Sequence, residues 1–506
     1  MALSLSSSPV VSVPPELAWE PLPPSEWNAE AARHLLRRAG WTALPAEVGR
    51  AAQDGLDATL DRLFPASPIL LPMPELTARL EEELPDFQRA IAHAATPEQK
   101  RALERELREE SRAALLELTI EWLRFAARPE NSAFEKWVLF LSDVYVVAFE
   151  KVGRTPLIYR HFDLIARHAL GPAPILTKAV SRSPAMVVYL DLNRSRRGAP
   201  NENFARELFE LFVLGEGHYT ERDIKEAARA FTGYRILPPD TVVFARREHD
   251  DGRKAIFGRI GNFDGDDVID LAYELDAAGA FLPHEWVKFY LSDTMLPADY
   301  LAAIGRSWRA VGYDLRWLAR RLFGSRIFFA PEFRGEFIKS PVQLYLGLVQ
   351  DFGLGVIPAP RYLVNPMRRM GQTLFDPPNV RGWVGGRNWI NSASFEARRT
   401  LVELLFFPPN DRALNAEEKM AIAAARAGGE ADFAVSDARL AAFCPPRPAD
   451  AVRRLTNELL AVDPGPVFRR DLGDYLAARP EAPPGRFRRL RQATIAVLQS
   501  PEYQLC

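Results

Sequence analysis

The densest run of side chains able to do chemistry is Pro200-Asn201-Glu202-Asn203-Phe204-Ala205-Arg206-Glu207-Leu208-Phe209-Glu210-Leu211-Phe212. At about 100° per residue, Phe204, Leu208, Leu211 and Phe212 share one helix face, and Asn203, Glu207 and Glu210 form a stripe along its flank. Amides and carboxylates at the edge of an apolar face must find partners, so the stripe either locks neighbouring loops or holds a ligand or cation. Asn201, Asn203 and Glu210 are therefore ligand-binding candidates, and Glu207 a candidate acid. Glu202 and Arg206, spaced i, i+4, suit a surface pair. Further on, His249 beside Asp250 has the composition of a general base with an orienting carboxylate.

The run Asn262-Phe263-Asp264-Gly265-Asp266-Asp267 offers Asp264 and Asp266 as ligands for a divalent cation. It fails as an EF-hand loop, because Asp267 stands where Gly is needed and Tyr273 where Glu is needed. Asp266 or Asp267 equally suits the cap of a helix beginning near Val268. In the segment 371–389, Gly and Pro set unusual backbone angles, and Trp383 and Trp389 supply large rigid faces for Arg381 or Arg387 to cover. With Asn379, such a loop suits sugars or peptides; alternatively it packs over a helical core with its indole N–H groups tied to carbonyls. The sequence contains no G-x-S-x-G, Walker A, H-E-x-x-H or G-x-G-x-x-G motif, which removes the common hydrolase, nucleotidase, zincin and Rossmann readings.

The elements that position these residues are helical. The segment 96–127 has no Gly, one Pro at a first-turn position and many strong helix formers, with charges in its first half and Leu115, Leu116, Leu118, Ile120 and Leu123 in its second. Ser25 is a candidate cap for a helix bearing Ala31, Ala32, Leu35 and Leu36. Two apolar helices are expected over 131–169, and Thr220 with Asp223 resembles a capping box. A strand pair is expected between 241–244 and 254–257. The fold class is thus mainly α: a large multi-helical fold with irregular Gly/Pro/Trp-rich loops and at most a small β-hairpin. Its expected divisions are a flexible arm (1–24), an N-terminal helical region (25–130), a central core (131–407) and a C-terminal helical unit (408–506).

The 506 residues carry 64 Lys and Arg against 66 Asp and Glu, a balance that does not favour nucleic acid as partner. Cys444 and Cys506 are too few for a disulfide framework, and reduced thiols are expected. The longest apolar stretch, 137–149, is interrupted by Ser142 and Asp143 and falls short of the roughly 20 residues of a membrane span. The first residues lack the charged start of a secretory signal, so the expected location is the cytoplasm.

Several segments together resemble a bacterial family, the domain of unknown function 1800. They are His34-Leu35-Leu36-Arg37-Arg38, His168-Ala169-Leu170-Gly171, the run from Pro200 to Leu208, Tyr219-Thr220-Glu221, Ala230-Phe231-Thr232-Gly233, His249-Asp250 with Gly252, Gly371-Gln372 through Trp383, and Ser500-Pro501-Glu502-Tyr503-Gln504. The resemblance implies a mostly helical fold and no established activity. Family members are often encoded beside a protein resembling the alkaline phosphatase superfamily, which implies a protein partner. This chain departs from the family where a Trp-His-x-His-Phe run is common: it reads Phe140-Leu141-Ser142-Asp143-Val144-Tyr145, without either histidine. Two functional readings follow. One is a binding or assembly protein using the Trp383 loop and the 203–210 flank. The other is a hydrolase-like enzyme using Glu207, His249 and Asp250, with Asp264 and Asp266 on a cation. Convergence of His249, Glu207 and Asn203 in an open pocket would favour the enzyme.

Overall fold

The structure, a computed structural model, describes residues 11–410, 412–430, 432–478 and 483–506. It is mainly α-helical, with two small antiparallel two-stranded sheets. The long helix Pro97–Ala126 starts at Thr96, whose hydroxyl accepts the Gln99 N–H, and passes from exposed charges into the core at Leu118, Trp122 and Leu123. The apolar stripe Ala31, Ala32, Leu35 and Leu36 is buried on Ala29–Ala39. Its cap is Asn28 rather than Ser25, because the Asn28 amide oxygen reaches the N–H groups of Glu30 and Ala31. Ser25 lies in a separate turn, Pro24–Glu26. Thr220 and Asp223 form the expected reciprocal capping box.

The strands pair differently from expectation. Thr241–Phe244 returns onto Tyr234–Leu237, and Lys254–Ile256 onto Arg259–Gly261. Each hairpin closes locally, at Pro238-Pro239-Asp240 and Phe257-Gly258, where Asp240, Phe257 and Gly258 all take left-handed φ. Short turns of this kind are reached at lower loop-closure cost than the longer connection between the two hairpins.

One apolar cluster runs from Ala18 to Tyr503. Of the arm expected over 1–24, residues 1–10 lie outside the described residues. The remainder is docked: Trp19 is buried and its indole N–H donates to the Tyr300 carbonyl at 2.8 Å. Cys444 and Cys506 are free and buried. No helix among the described residues is long and apolar enough to cross a membrane.

The core also holds a group of buried cations: Arg37, Arg38, Lys136, Lys339 and Arg398. Arg38, only 1% exposed, fans its two terminal nitrogens over four main-chain oxygens: Tyr290 (2.6 Å), Leu291 (3.1 Å), Phe333 (2.8 Å) and Cys506 (2.5 Å). Lys136 donates to the carbonyls of Arg38 and Gly40, and Arg37 to those of Glu458 and Leu460. The segment ending at Cys506 is stitched to 337–339 by the bonds Cys506 N to Phe337 O and Lys339 N to Gln504 O. Burial of a guanidinium is costly unless its donors are met, and here both terminal nitrogens are met while Nε stays without a partner. Replacing it strands buried carbonyls from three distant parts of the chain. Arg38→Met is expected to lose about 3–5 kcal/mol of unfolding free energy in urea titrations, and an unchanged midpoint would contradict the assignment.

Candidate functional site

The helix Glu202–Glu207 is capped by Asn201, whose amide oxygen accepts the Asn203 N–H (3.0 Å) and whose amide nitrogen donates to the Asp191 carbonyl (3.1 Å). That side chain is thereby committed to the cap. Beyond Glu207 the chain widens into a π-helical turn, Leu208–Val213. The wider turn shifts the apolar face, so Phe209 and Val213 join Phe204, Leu208 and Phe212 in the core while Leu211 is only half-buried. Asn203 is exposed, not at the edge of the core as the 3.6-residue period predicts.

Glu210 does meet the Trp loop. Its carboxylate accepts from the Tyr219 hydroxyl (3.0 Å) and from Arg381 (2.5 Å), and Arg381 also reaches Glu216 at 2.9 Å. Glu207 is half-buried nearby; burial, then the neighbouring Glu210, raises its carboxyl, against the pull of Arg381 and Arg206. Asn379 shapes the approach to this latch by accepting the Arg381 N–H with its side chain at 2.8 Å.

The following residues form a loop pinned by two carboxylates. Asp143 accepts the Trp383 N–H (2.8 Å) and Asp293 the Arg387 N–H (3.0 Å). The carboxylates come so close that a Cβ on Gly382 or Gly386 would strike them, and both glycines have left-handed φ, +80° and +63°. Beneath the loop lies a cavity of about 480 Å³. Its aromatic walls are Trp383, Trp389, Phe140 and Phe289, and its polar groups include Lys136, Asp143, Glu285, Lys288, Asp293 and Arg387. Burial pushes the Asp143 carboxyl up to about 7, with Glu285 adding to the rise and the Trp383 N–H and Lys288 opposing it. Burial brings Lys136 down to about 7 and raises Asp293. Trp383 Nε1 is buried without a partner, so the expectation that the indoles are tied to carbonyls fails there.

The other candidates lie apart from this cavity. His249 is 5% exposed, its Nδ1 is bonded to the Thr232 carbonyl at 2.9 Å, and its ring packs on Phe244. Asp250 does not orient it. That carboxylate grips Arg229 at 2.8 and 3.2 Å and is lowered to about 2, chiefly by that bond. Asp264, not Asp266 or Asp267, caps Gly265–Tyr273 by accepting the N–H groups of both, and Asp267 returns the bond to the Asp264 N–H as the other half of a capping box. Asp266 pairs with Arg182. Among the described residues no group of three or more His, Cys, Asp or Glu is placed to hold a metal ion. None of His249, Glu207 and Asn203 lines this cavity.

The profile of the family described as a protein of unknown function, DUF1800, matches residues 34–505. The chain belongs to the DUF1800 family. No curated protein and no solved structure matches it. The stretch 140–145, where the resemblance implied a histidine run, lies at this site: Asp143 and Val144 line the cavity, while the Ser142 hydroxyl turns back to the Val138 carbonyl. Lys136, Asp143, Glu285, Lys288 and Asp293 went unrecognised as site residues in the sequence. The available signal was the polar Asp143 within the apolar stretch 137–149, together with the glycine pair 385–386; Asp293 offered none.

Because the folded state raises the Asp143 carboxyl above its usual value near 4, the unfolded chain ionises first as pH rises, and stability falls from about pH 4 to about pH 7. Asp143→Asn keeps an oxygen for the Trp383 N–H and removes the charge. It is expected to exceed the parent by about 1–2 kcal/mol at pH 8, a gap that closes towards pH 4 in pH-resolved denaturation. A gap that widens in acid would refute this account.

Proposed function

We propose that this chain is a helical binding protein that seats a small ligand, or a segment of a protein partner, in the cavity under the loop 381–389. One observation carries the reading: Arg381 clips the loop to Glu210 and Glu216 beside an open cavity walled by two tryptophans. Concave, mostly aromatic sites with a few convergent polar groups are the usual form of a ligand site. The partner implied by the family resemblance, a protein like those of the alkaline phosphatase superfamily, is the first to look for.

A second reading is supported by Asp143. A carboxyl held near neutrality on a cavity wall is able to take and give a proton, which suits a hydrolase-like enzyme working from this position rather than from His249 and Asp250. The His249–Asp250 pair has lost its support, since the ring and the carboxylate each serve the packing of 229–253.

Affinity purification from native cells, with metal analysis of the eluate, tests the first reading. A stoichiometric partner or retained small molecule is expected, and Arg381→Glu is expected to reduce its recovery about tenfold, equivalent to 1.4 kcal/mol. Arg381 is largely exposed, so melting of the variant should change little. Undiminished recovery with Arg381→Glu would exclude this loop from binding.

A further inference from the structure

We propose that the cavity under the loop takes a neutral polyhydroxylated ligand, a mono- or disaccharide unit. This inference rests on the binding reading above and names the chemistry of its occupant. Nearly every full charge in the wall already has its counterpart. Lys288 pairs with Glu285 at 2.9 Å, Arg387 with Asp293 through its main chain at 3.0 Å and its side chain at 3.7 Å, and Arg381 with Glu210 and Glu216. Lys136 sits on two carbonyls and faces the rings of Trp41 and Tyr290. Asp143 has one oxygen on the Trp383 N–H and no protein partner for the other.

An ion entering such a wall loses its own hydration and finds only Asp143 and Lys136 without an ionic counterpart, both of them groups whose charge burial already disfavours. A neutral polyol loses less and gains more, because each ion pair still presents spare donors and acceptors to hydroxyl groups, and the free Asp143 oxygen can accept from one. The tryptophans supply the other half of sugar recognition. Trp383 and Trp389 line the cavity while 8% and 5% exposed, so their rings are held rigidly and offer a small apolar patch for the C–H groups of a pyranose. The volume, about 480 Å³, lies in the range that encloses a small-molecule ligand.

Saturation-transfer NMR on the full chain tests this with three probe sets at millimolar concentration: neutral hexoses and N-acetylhexosamines with their 1,4-linked dimers; putrescine and lysine amide; glucuronate and glucose 6-phosphate. At least one neutral sugar is expected to give a transfer signal that competes with no charged probe. The signal should be lost in Trp389→Ala and reduced several-fold in Arg387→Ala. Arg387 is 87% exposed, so its variant keeps the test valid if the Trp389 variant does not fold. Signals from the cations or anions alone, sensitive to Arg387→Ala, would overturn the sugar assignment and leave the binding reading standing. Silence from all three sets would overturn the sugar assignment, while the binding reading is decided separately by partner recovery with Arg381→Glu.

Discussion

A buried guanidinium with four main-chain acceptors is the constraint on which the rest of this molecule depends. Arg38 leaves water only because Tyr290, Leu291, Phe333 and Cys506 bring their oxygens to it. Two of those oxygens close the π-helical turn Val287–Leu291, where a helix end leaves carbonyls without partners. The same turn carries Lys288 and Phe289 into the cavity, and Asp293 follows two residues after it. The buried cations thus hold the cavity wall from behind: Lys136, on the cavity's edge, donates to the carbonyl of Arg38 itself.

From that anchor the connection to the loop runs along one helix face. On Ser132–Val144, Lys136, Phe140, Asp143 and Val144 stand at i, i+4, i+7 and i+8, and all four line the cavity. Lys136 ties the face to the buried hub, and Asp143 ties it to the Trp383 N–H. The carboxylates of Asp143 and Asp293 act as fixed posts for a glycine-rich segment that has no helix or strand ladder of its own. Gly382 and Gly386 are required twice over, by their left-handed φ and by the closeness of the carboxylates. The charge placed on these posts is costly where it sits, which is why both carboxyls are raised.

The helical class, the long exposed-to-buried helix 97–126 and the capping box at Thr220 were legible because periodicity, caps and propensity are local properties. Strand partners were harder, since a short apolar run does not say which neighbour it will meet. The site was legible in part. Glu210 meets Arg381 while Trp383 and Trp389 line the cavity beside them, whereas Asn203 is exposed in the first turn of its helix and the π turn after Glu207 moved Leu211 off the buried face in favour of Phe209 and Val213. His249 and Asp250 misled for another reason. Adjacent residues on an extended chain point to opposite sides: the His249 ring donates its Nδ1–H to the distant Thr232 carbonyl, while the Asp250 carboxylate accepts the Gly252 N–H of its own turn.

The stretch where the family resemblance implies a histidine run bears on what the cavity can do. Of the two positions concerned, Val144 lies in the wall and Ser142 does not. Val144 there contributes apolar surface, and the Ser142 hydroxyl is spent on its own helix. What remains is a carboxylate that gives one oxygen to the loop and presents the other to the cavity, beside ion pairs that are already matched. A surface of this kind offers directional hydrogen bonds and flat aromatic area without a strong nucleophile or a cluster of metal ligands. Recognition needs those features in place before the ligand arrives, and the carboxylate posts with the buried cations behind them supply that rigidity.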